Sequence, residues 1–304
     1  MDGTASPEVI KDYNERDYRT VWAHGARSDF EDRFETALIR RLLSSEPGWL
    51  IDLGAGYGRL YPVYAQPGRS VVMVDYAVNL LEIAAKTYGD RADVHFVAAN
   101  AYHLPFRPAT FAAGLSNRTF HHMAHPELFL DELARVMQPG SHVALEYSNK
   151  RNALRVARYG RRSLREDHEH YGELLFGTHP RHFDRLARSA GFEPGARYGT
   201  GFFSRFLFER TKRAFGPLAV AETAADASLG KLDLAPMHFV DLRRANGTAV
   251  SADVSPGALV DVLQCPACGG GLEEASDGIG CVSCGRHFPR LGAVLDLRHV
   301  GELG

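Results

Sequence analysis

The chain has 304 residues, of which 45% are hydrophobic and 24% are charged, and its formal net charge is -2. This composition is ordinary for a globular protein, and the length is enough for one large domain beside a small one. A net charge so close to zero creates no overall field that favours nucleic acid or a membrane surface as a partner.

The first residues, from Met1 to Pro7, contain no basic region followed by an apolar run, so we expect no secretory signal. No apolar stretch is long enough to span a bilayer, and we expect no membrane partner. All four cysteines lie in the last forty residues, in two close pairs. Such pairs favour a metal site in a reducing compartment over disulfides, so we expect a cytoplasmic protein.

The first half of the chain has the pattern of an α/β protein. Residues 8–45 are predicted to be helical, because apolar residues recur there at helical spacing. Short apolar runs then alternate with helical segments, as in a doubly wound sheet with helices on both faces. The runs interpreted as buried strands are residues 49–51, 71–74, 94–97, 111–115 and 143–145. The predicted helices are residues 59–65, 78–87 and 128–137, with Pro139-Gly140 ending the last of them.

The pattern weakens after residue 150. A basic stretch covers residues 150–167, and we weigh two interpretations of it: a surface for RNA or an acidic substrate, and a solvated amphipathic helix. Further along come an aromatic and basic segment at 202–215, a loop or weak helix at 219–227, and a small, polar linker at 246–256. The other predicted elements are a helix at 182–190, a strand that starts at 192, and a last strand at 237–242.

Glycines cluster where the first predicted strand meets the first helix, in Asp52-Leu-Gly54-Ala-Gly56-Tyr-Gly58. Glycine lets the backbone turn sharply and lets a ligand approach the main chain, and a helix N-terminus offers free N–H groups. The next predicted strand ends at Asp75, where an acid commonly accepts hydrogen bonds from a ribose diol. The pattern predicts a site for a nucleoside cofactor.

Two details favour S-adenosylmethionine over a nicotinamide dinucleotide. A dinucleotide loop has its third glycine one residue after Gly58, where this chain has Arg59. A carboxylate at Asp52 would repel a pyrophosphate by about 1–4 kcal/mol at surface-like dielectric, whereas it would attract a methionyl ammonium group. An oxidoreductase and a glycine-rich turn without a ligand are the alternatives.

On these motifs the chain resembles a class I S-adenosylmethionine-dependent methyltransferase of the small-molecule, type-11-like kind, over roughly residues 45–147. The first motif is matched by residues 51–58 and the ribose-binding acid by Val74-Asp75-Tyr76. Residues 99–106 resemble the segment that usually reads Asp-Ala before a Leu-Pro-Phe, with Asn100 in place of the acid. The resemblance implies an α/β fold with a Rossmann-like sheet of seven strands, one of them antiparallel.

The resemblance also implies how the cofactor is held. Asp52 and the glycines would hold the methionyl part, Asp75 the ribose, and Asn100 the adenine amine through its amide oxygen. The expected cofactor-binding residues are Asp52, Gly54, Ala55, Gly56, Gly58, Asp75, Tyr76, Asn100, Ala101, Tyr102 and Asn117.

The cysteines form two knuckles, Cys265-Pro-Ala-Cys268 and Cys281-Val-Ser-Cys284, with twelve residues between them. Two thiolates from each knuckle close a tetrahedral site, and glycines follow each pair where a knuckle turn needs a permissive backbone. We therefore predict a structural Zn²⁺ with no open position for catalysis. Free buried thiols and a redox pair are the disfavoured alternatives. A module this small cannot bury enough apolar surface to fold without metal.

The cysteine module resembles, over residues 259–297, the zinc ribbon that activates several tRNA, rRNA and translation-factor methyltransferases. Here both parts lie on one chain, so the ribbon is expected to pack on its own catalytic domain or to help recognise the acceptor. The predicted domains are 1–246 for the methyltransferase with an acceptor lid at about 150–215, 247–258 for a linker, and 259–304 for the ribbon.

The methyl acceptor is the least defined feature. Methyl transfer needs alignment and, for a protonated nucleophile, a base. His121 and His122, after the fourth strand, are the candidate catalytic residues, and a packing role is the alternative. Tyr13, Tyr18 and Trp22 are candidates to cap the pocket.

The predicted activity is methyl transfer (EC 2.1.1.-) to an unidentified acceptor. A small molecule is favoured because the net charge is near neutral. A tRNA or rRNA methyltransferase is the first alternative. A non-catalytic zinc-ribbon protein that binds S-adenosylmethionine is the second, because no catalytic base is defined.

Overall fold

The computed structural model describes residue 13 and residues 26–43, 47–201, 233–246 and 257–298, and all structural statements concern these residues. The segments at 202–215 and 219–227, most of the linker, and Tyr18 and Trp22 lie outside them. None of the helices in the described ranges combines the length and the apolar character needed to cross a membrane.

Five parallel strands form the centre of the sheet. They are β1 (Gly48–Leu53), β2 (Arg69–Asp75), β3 (Val94–Ala98), β4 (Phe111–Ser116) and β5 (Met137–Ser148). Two antiparallel neighbours, β8 (Phe192–Thr200) and β9 (Met237–Arg244), follow β5 in the sheet, and β6 (His168–Gly172) and β7 (Leu175–Thr178) make a separate hairpin. The C-terminal module contributes β10 (Leu272–Ala275), β11 (Gly278–Cys281), β12 (His287–Leu291) and β13 (Val294–Asp296).

Helices cover both faces of the sheet, which explains why β1 and β2 are almost fully buried apolar runs. They pack against two hydrophobic clusters, one on each side of these strands. The helices are α1 (Ala26–Leu42), α2 (Tyr61–Tyr64), α3 (Val78–Tyr88), α4 (Pro126–Val136), α5 (Ala153–Tyr159), α6 (Pro180–Ser189) and α7 (Leu259–Val262).

The α/β architecture is confirmed, but the expected strand count is wrong. The sheet has eleven strands in the order β10-β11-β12-β13-β3-β2-β1-β4-β5-β9-β8. The seven neighbouring strands β3-β2-β1-β4-β5-β9-β8 match the expected seven-stranded sheet, and β9 is its antiparallel strand. The other four join because β13 pairs in parallel with β3, from Val294 opposite Phe96 to Asp296 opposite Ala98. An edge strand has unpaired backbone groups, and the cysteine module supplies their partners.

Three further details differ from the sequence-based expectations. The helix after the glycine loop has only four residues, α2, because turns occupy the residues before Tyr61. Pro139-Gly140 lies inside the irregular start of β5 and does not end α4, whose last residue is Val136. The β6–β7 hairpin was not predicted, because its sequence lacks alternating apolar residues.

Part of the basic stretch after residue 150 is paired with acidic residues of the same chain. Lys150 is fully buried and forms ion pairs with Asp167 and, at 3.0 Å, with Glu169. Glu169 also accepts a hydrogen bond from Arg162 Nε at 2.5 Å, and Arg155 stacks 3.7 Å from the ring centre of Tyr171. These basic side chains therefore hold the β6–β7 hairpin in place.

Candidate functional site

A cavity lies at the carboxyl ends of β1, β2, β3 and β4, the edge at which open α/β sheets bind ligands. Nine of the eleven residues predicted to bind a cofactor line it: Gly54, Ala55, Gly56, Asp75, Tyr76, Asn100, Ala101, Tyr102 and Asn117. The structure therefore brings together segments that follow four different strands.

The glycine loop turns tightly under the cavity. Gly54 has φ of +83° and Gly56 has φ of +56°, in the left-handed region that favours glycine. The N–H groups of Gly54 and Ala55 both donate to the carbonyl of Val74, at 2.8 and 3.0 Å. A Cβ on Gly54 would lie 1.8 Å from Oγ1 of Thr119, so the loop and the segment after β4 touch at a point where no side chain fits.

Asp75 is held in position by the backbone on both sides. Its Oδ2 accepts from Gly56 N at 2.8 Å, and its Oδ1 accepts from Ala77 N at 2.9 Å. A carboxylate has about four acceptor sites, and both oxygens of Asp75 lie on a residue that lines the cavity. The arrangement orients the acid and links the glycine loop to the end of β2.

Asn100 also has a defined orientation. Its Oδ1 accepts a hydrogen bond from Tyr102 N at 2.9 Å, and the side chain is only 4% exposed. An amide oxygen is an acceptor, which is the chemistry needed for the adenine amine that the resemblance assigns to Asn100.

A charged cluster lies at the cavity, and sequence reasoning placed Arg118 near the methyl group but missed Glu35, with which Arg118 pairs. Glu35, on α1 and only 3% exposed, accepts hydrogen bonds from Arg59 Nη2 at 2.6 Å and from Arg118 Nε at 2.7 Å. Burial by itself would raise the pKa of Glu35, but the guanidinium groups of Arg118 and Arg59 hold that pKa below its usual range. Both arginines line the cavity, so a carboxylate ligand would meet two guanidinium groups there, which are already paired with Glu35 and, for Arg59, also with Asp32.

Asn117 supplies a hydrogen-bond acceptor for a ligand. Its Nδ2 donates to Glu35 Oε2 at 3.2 Å, but its buried Oδ1 has no hydrogen-bond partner within the described part of the chain. An unsatisfied buried acceptor costs free energy, so its presence in a cavity indicates a donor that arrives with the ligand. An ammonium group has the required chemistry.

Two predicted cofactor residues do not line the cavity. Asp52 is buried, and its Oδ2 accepts a hydrogen bond from the hydroxyl of Tyr64 at 2.5 Å. Gly58 has φ of +77°, and a Cβ there would lie 3.0 Å from the ring of Tyr88. Their assignment as cofactor-binding residues stays a prediction, and neither side of the cavity is formed by Asp52 or Gly58.

Of the two candidate catalytic histidines, His122 lines the cavity and His121 does not. The carbonyl of Leu174 can only accept, so His122 donates to it from Nδ1 at 2.9 Å. When the ring is neutral, its Nε2 accepts from the hydroxyl of Tyr13 at 2.8 Å. Burial, together with the charges of His122 and Arg118, holds the pKa of His121 well below its ordinary value. His122 is therefore the histidine that a bound acceptor would meet.

The four cysteines meet in one cluster, whose Sγ atoms all lie within 4.8 Å of one another. The Cys265–Cys284 and Cys268–Cys281 sulfur separations are 3.8 and 3.5 Å, close to the edge of about 3.8 Å expected for a tetrahedron of sulfurs about 2.3 Å from a metal. They are too long for disulfides.

The two cysteine knuckles have the same backbone turn. Gly269 N donates to the carbonyl of Cys265, and Gly285 N donates to that of Cys281, and both glycines have φ of +70°. This repeated geometry points the sulfurs of both pairs at one position, so the donor set fits a thiolate-bound metal.

The position of Asp52 predicts a pH-dependent stability. Burial, reinforced by the charge of Asp75, raises the pKa of Asp52 to about 7 from a reference of 3.8. The folded state therefore holds this proton more tightly, and the contribution of Asp52 to the free energy of unfolding should fall as pH rises from about 4 to about 7. Asp52→Asn removes this titration. The free energy of unfolding of the variant minus that of the native chain should therefore rise by about 1–4 kcal/mol between pH 4 and pH 8.

Urea unfolding at pH 4, 5 and 8 measures the change. Asp131→Asn, at an exposed position on α4, is the matched control and should leave the pH dependence unchanged. Parallel pH profiles for the native chain and Asp52→Asn would contradict the assigned environment of Asp52.

Comparison with known proteins finds similarity in the central part of the chain. A family model described as a methyltransferase domain matches residues 51–145, from β1 to the end of the β4–β5 pairing. Demethylmenaquinone methyltransferase from Paenarthrobacter aurescens (strain TC1) is 31% identical over 101 residues, which are 33% of this chain and 39% of that protein. The chain spans less than half of the length of this and similar relatives.

Solved structures establish the fold. The cyclase SpnF is similar with a TM-score of 0.53 at 20% identity, over 74% of this chain and 87% of that one. A chain from the complex between the Haloferax volcanii Trm112 methyltransferase activator and a protein designated a methyltransferase gives a TM-score of 0.52 at 17% identity, over 76% of this chain and 98% of that one. The chain therefore has the α/β methyltransferase fold.

Proposed function

We propose that this protein transfers the methyl group of S-adenosylmethionine to a small-molecule acceptor. The observation that carries the proposal is the unsatisfied Oδ1 of Asn117, which lies in the same cavity as Arg59, Arg118 and Asp75. A ligand that satisfies this set brings an ammonium group, a carboxylate and a diol. S-Adenosylmethionine has all three, and NAD has no free ammonium or carboxylate.

Bound S-adenosylmethionine supplies an electrophilic methyl group, and the chain supplies position and charge. Arg59 and Arg118 would hold the carboxylate, and Asn117 Oδ1 would accept from the ammonium group. Asp75 would accept from the ribose hydroxyls, and Asn100 from the adenine amine. Because Glu35 and backbone N–H groups already orient these side chains, the site is preorganised for binding.

His122 would take part on the acceptor side. In the tautomer fixed by Leu174, its Nε2 is an acceptor that faces Tyr13 at the cavity. An acceptor molecule with an acidic O–H or N–H would give its proton to the Tyr13 oxygen while Tyr13 passes its own proton to His122 Nε2. Its nucleophilic atom would bond to the methyl carbon as the bond from that carbon to the sulfonium breaks, and S-adenosylhomocysteine would leave. His122 is therefore the general base in this proposal.

A small-molecule acceptor is favoured over RNA by the basic stretch that begins at Lys150. Lys150 and Arg162 are paired with Asp167 and Glu169, which lowers the charge that this stretch offers to an RNA backbone. The relatives named demethylmenaquinone methyltransferase point to the same acceptor class. For this chain we propose the class only.

We also propose that the cysteine cluster binds one structural Zn²⁺. The four sulfurs supply all four ligands of a tetrahedral ion, which leaves no position for water or substrate. The ion would hold the two knuckles together in a module whose strands are only three to five residues long.

Two measurements test the methyltransferase proposal. Calorimetry should show binding of S-adenosylmethionine and S-adenosylhomocysteine, and weaker or no binding of NAD. Radiolabelled S-adenosylmethionine, incubated with the protein and either a small-metabolite extract or total RNA, should label the small-metabolite fraction. Tighter binding of NAD would overturn the cofactor assignment. Label in the RNA fraction would overturn the acceptor class. Binding of S-adenosylmethionine without any methyl transfer would favour a non-catalytic protein.

Asp75→Ala should weaken S-adenosylhomocysteine binding by about 1–3 kcal/mol, because the ribose hydroxyls lose their acceptor. Asp90→Ala, at an exposed residue after α3, is the matched control and should bind like the native chain. Calorimetry on both variants measures the difference. Equal affinities would remove Asp75 from the ribose role.

A further inference from the structure

The cysteine module, residues 257–298, holds both ends of one cavity loop. We call residues 99–104 the nucleoside loop, because four of them, from Ala99 to Tyr102, line the cavity. Just before the loop, Ala98 O accepts a hydrogen bond from Leu297 N at 2.8 Å. Just after it, Pro105 O accepts from Gln264 N at 3.1 Å. The C-terminal module therefore binds the backbone on both sides of the nucleoside loop, in addition to the bonds from Ala99 N to Asp75 O at 3.1 Å and from Leu104 N to Glu132 Oε2 at 2.9 Å.

The bond to Pro105 is part of a larger contact. Arg107 N donates to Val262 O at 2.9 Å, and Arg107 Nε donates to Leu263 O at 3.2 Å. Phe106 and Leu263, both fully buried, belong to one hydrophobic cluster that also contains the buried Cys265. The module and the catalytic part thus share a core, so loss of order in one is transmitted to the other.

The module also reaches the cavity wall beside Asp75. Arg298 Nη1 donates to the carbonyl of Tyr76 at 3.2 Å, and its guanidinium carbon lies 5.4 Å from the centre of the Tyr76 ring. Asp296 fixes the guanidinium by accepting two hydrogen bonds, from Nε at 2.9 Å and from Nη2 at 2.7 Å. Asp296 itself is the last residue of β13, so Arg298 keeps this position only while β13 is paired with β3.

We propose that Arg298 is a positioning residue of the cofactor cavity, and that the folded cysteine module keeps the nucleoside half of the cavity in its binding conformation. The inference rests on the proposed function for the identity of the ligand, an adenosine derivative. Coupling of this kind is reciprocal: if the folded module favours nucleoside binding, a bound nucleoside protects the module by the same factor.

Hydrogen exchange tests the positioning role of Arg298 without any ligand. In the full chain, Arg298→Ala should speed amide exchange about 5-fold or more in peptides that cover residues 76–77 and 98–105, because local opening becomes easier. Arg290→Ala is the matched control: Arg290 is another arginine of the module, which pairs with Glu274 on its exposed face. Unchanged exchange in Arg298→Ala would overturn the proposal, whether or not the protein binds S-adenosylmethionine.

Ligand binding then measures the consequence. Arg298→Ala should bind S-adenosylhomocysteine about 5- to 50-fold more weakly, within the usual range for coupled sites. Arg298→Lys keeps one donor for the Tyr76 carbonyl and should recover part of this loss, and Arg290→Ala should bind within 2-fold of the native chain. Metal content and melting temperature, measured on the same samples, should be equal across the variants. Native affinity in Arg298→Ala with an intact module would overturn the positioning role.

The reciprocal experiment needs no variant that risks misfolding. Metal release from the native chain to a chelator is followed with and without saturating S-adenosylhomocysteine. Release should be at least 5-fold slower with the ligand, and Arg298→Ala should lose most of this protection. Equal release rates in the native chain, when calorimetry shows that the ligand is bound, would overturn the coupling. Failure of the native chain to bind S-adenosylhomocysteine would instead overturn the proposed function. The hydrogen-exchange measurement would still show whether Arg298 holds the cavity wall in place.

Discussion

Gly54→Ala should abolish cofactor binding, with affinity for S-adenosylhomocysteine reduced by at least about 100-fold. The new Cβ would lie 1.8 Å from Oγ1, 2.8 Å from Cβ and 2.9 Å from Cγ2 of Thr119. Since Thr119 Cβ is itself in the way, no rotamer of Thr119 relieves the clash, and the backbone must move. The φ of +83° adds strain of about 1–2 kcal/mol for any residue with a Cβ. Calorimetry measures the loss.

Two matched glycines separate the clash from the backbone strain. Gly56→Ala, in the same loop, has φ of +56° and its nearest neighbour 3.9 Å away, so it should lose less affinity than Gly54→Ala. Gly292→Ala, in the turn between β12 and β13, has φ of +60° and no neighbour within 4 Å, so it should lose stability without losing affinity. A Gly54→Ala protein that binds like the native chain would show that the loop does not approach the ligand.

Cys281→Ser should lower the metal content from about one ion per chain to well below one, and should lower the free energy of unfolding by about 3 kcal/mol or more. Cys281 is 4% exposed and lies at the end of β11, where its sulfur completes the cluster. A serine hydroxyl is a poor zinc ligand, so the two knuckles would lose their common centre. Metal analysis and thermal unfolding of the full chain measure both effects.

Ser283→Ala is the control for the second knuckle, because Ser283 is exposed and lies between its two cysteines. It should keep both the metal and the native stability. Native chain that contains no metal, yet protects the amides of β10 to β13 from exchange, would contradict the structural role of the ion.

The parts of the fold that sequence could predict are those fixed by local signals. The strands at Leu50, Val72 and Val143 are short apolar runs, and they are correctly placed because a parallel strand covered on both faces has no polar alternation. The glycine loop and the cysteine knuckles were found for a similar reason: backbone turns and metal ligands need particular residue types at fixed short spacing.

The parts that sequence missed are fixed by distant residues. Glu35 has no local motif, and its role depends on Arg118, which lies 83 residues away in the chain. The contact between Tyr76 and Arg298 spans 222 residues. Arg59 was noted only as a departure from the dinucleotide pattern, although it lines the cavity. Pairings of this kind are set by the folded topology, so residue type and spacing do not reveal them.

The same distinction applies to Asp52 and the histidines. Asp52 stands at the motif position of a cofactor residue, but the direction of its side chain is decided by the hydroxyl of Tyr64 on α2. His121 and His122 are adjacent in sequence, and the 3-10 turn from Phe120 to His122 directs only the second to the cavity. Sequence identifies such positions, and the geometry of the turn decides which atoms face the ligand.

The pairing of β13 with β3 has a consequence for synthesis on the ribosome. Strand β3 ends at Ala98, whereas its neighbour begins at Val294, so the edge of the sheet stays open until almost 200 further residues have been made. At about 5–20 residues per second, that interval lasts roughly 10–40 seconds, during which an apolar strand edge is exposed to other nascent chains. A chaperone that shields β3 in this interval would protect the protein from aggregation, and completion of the C-terminal module would release it.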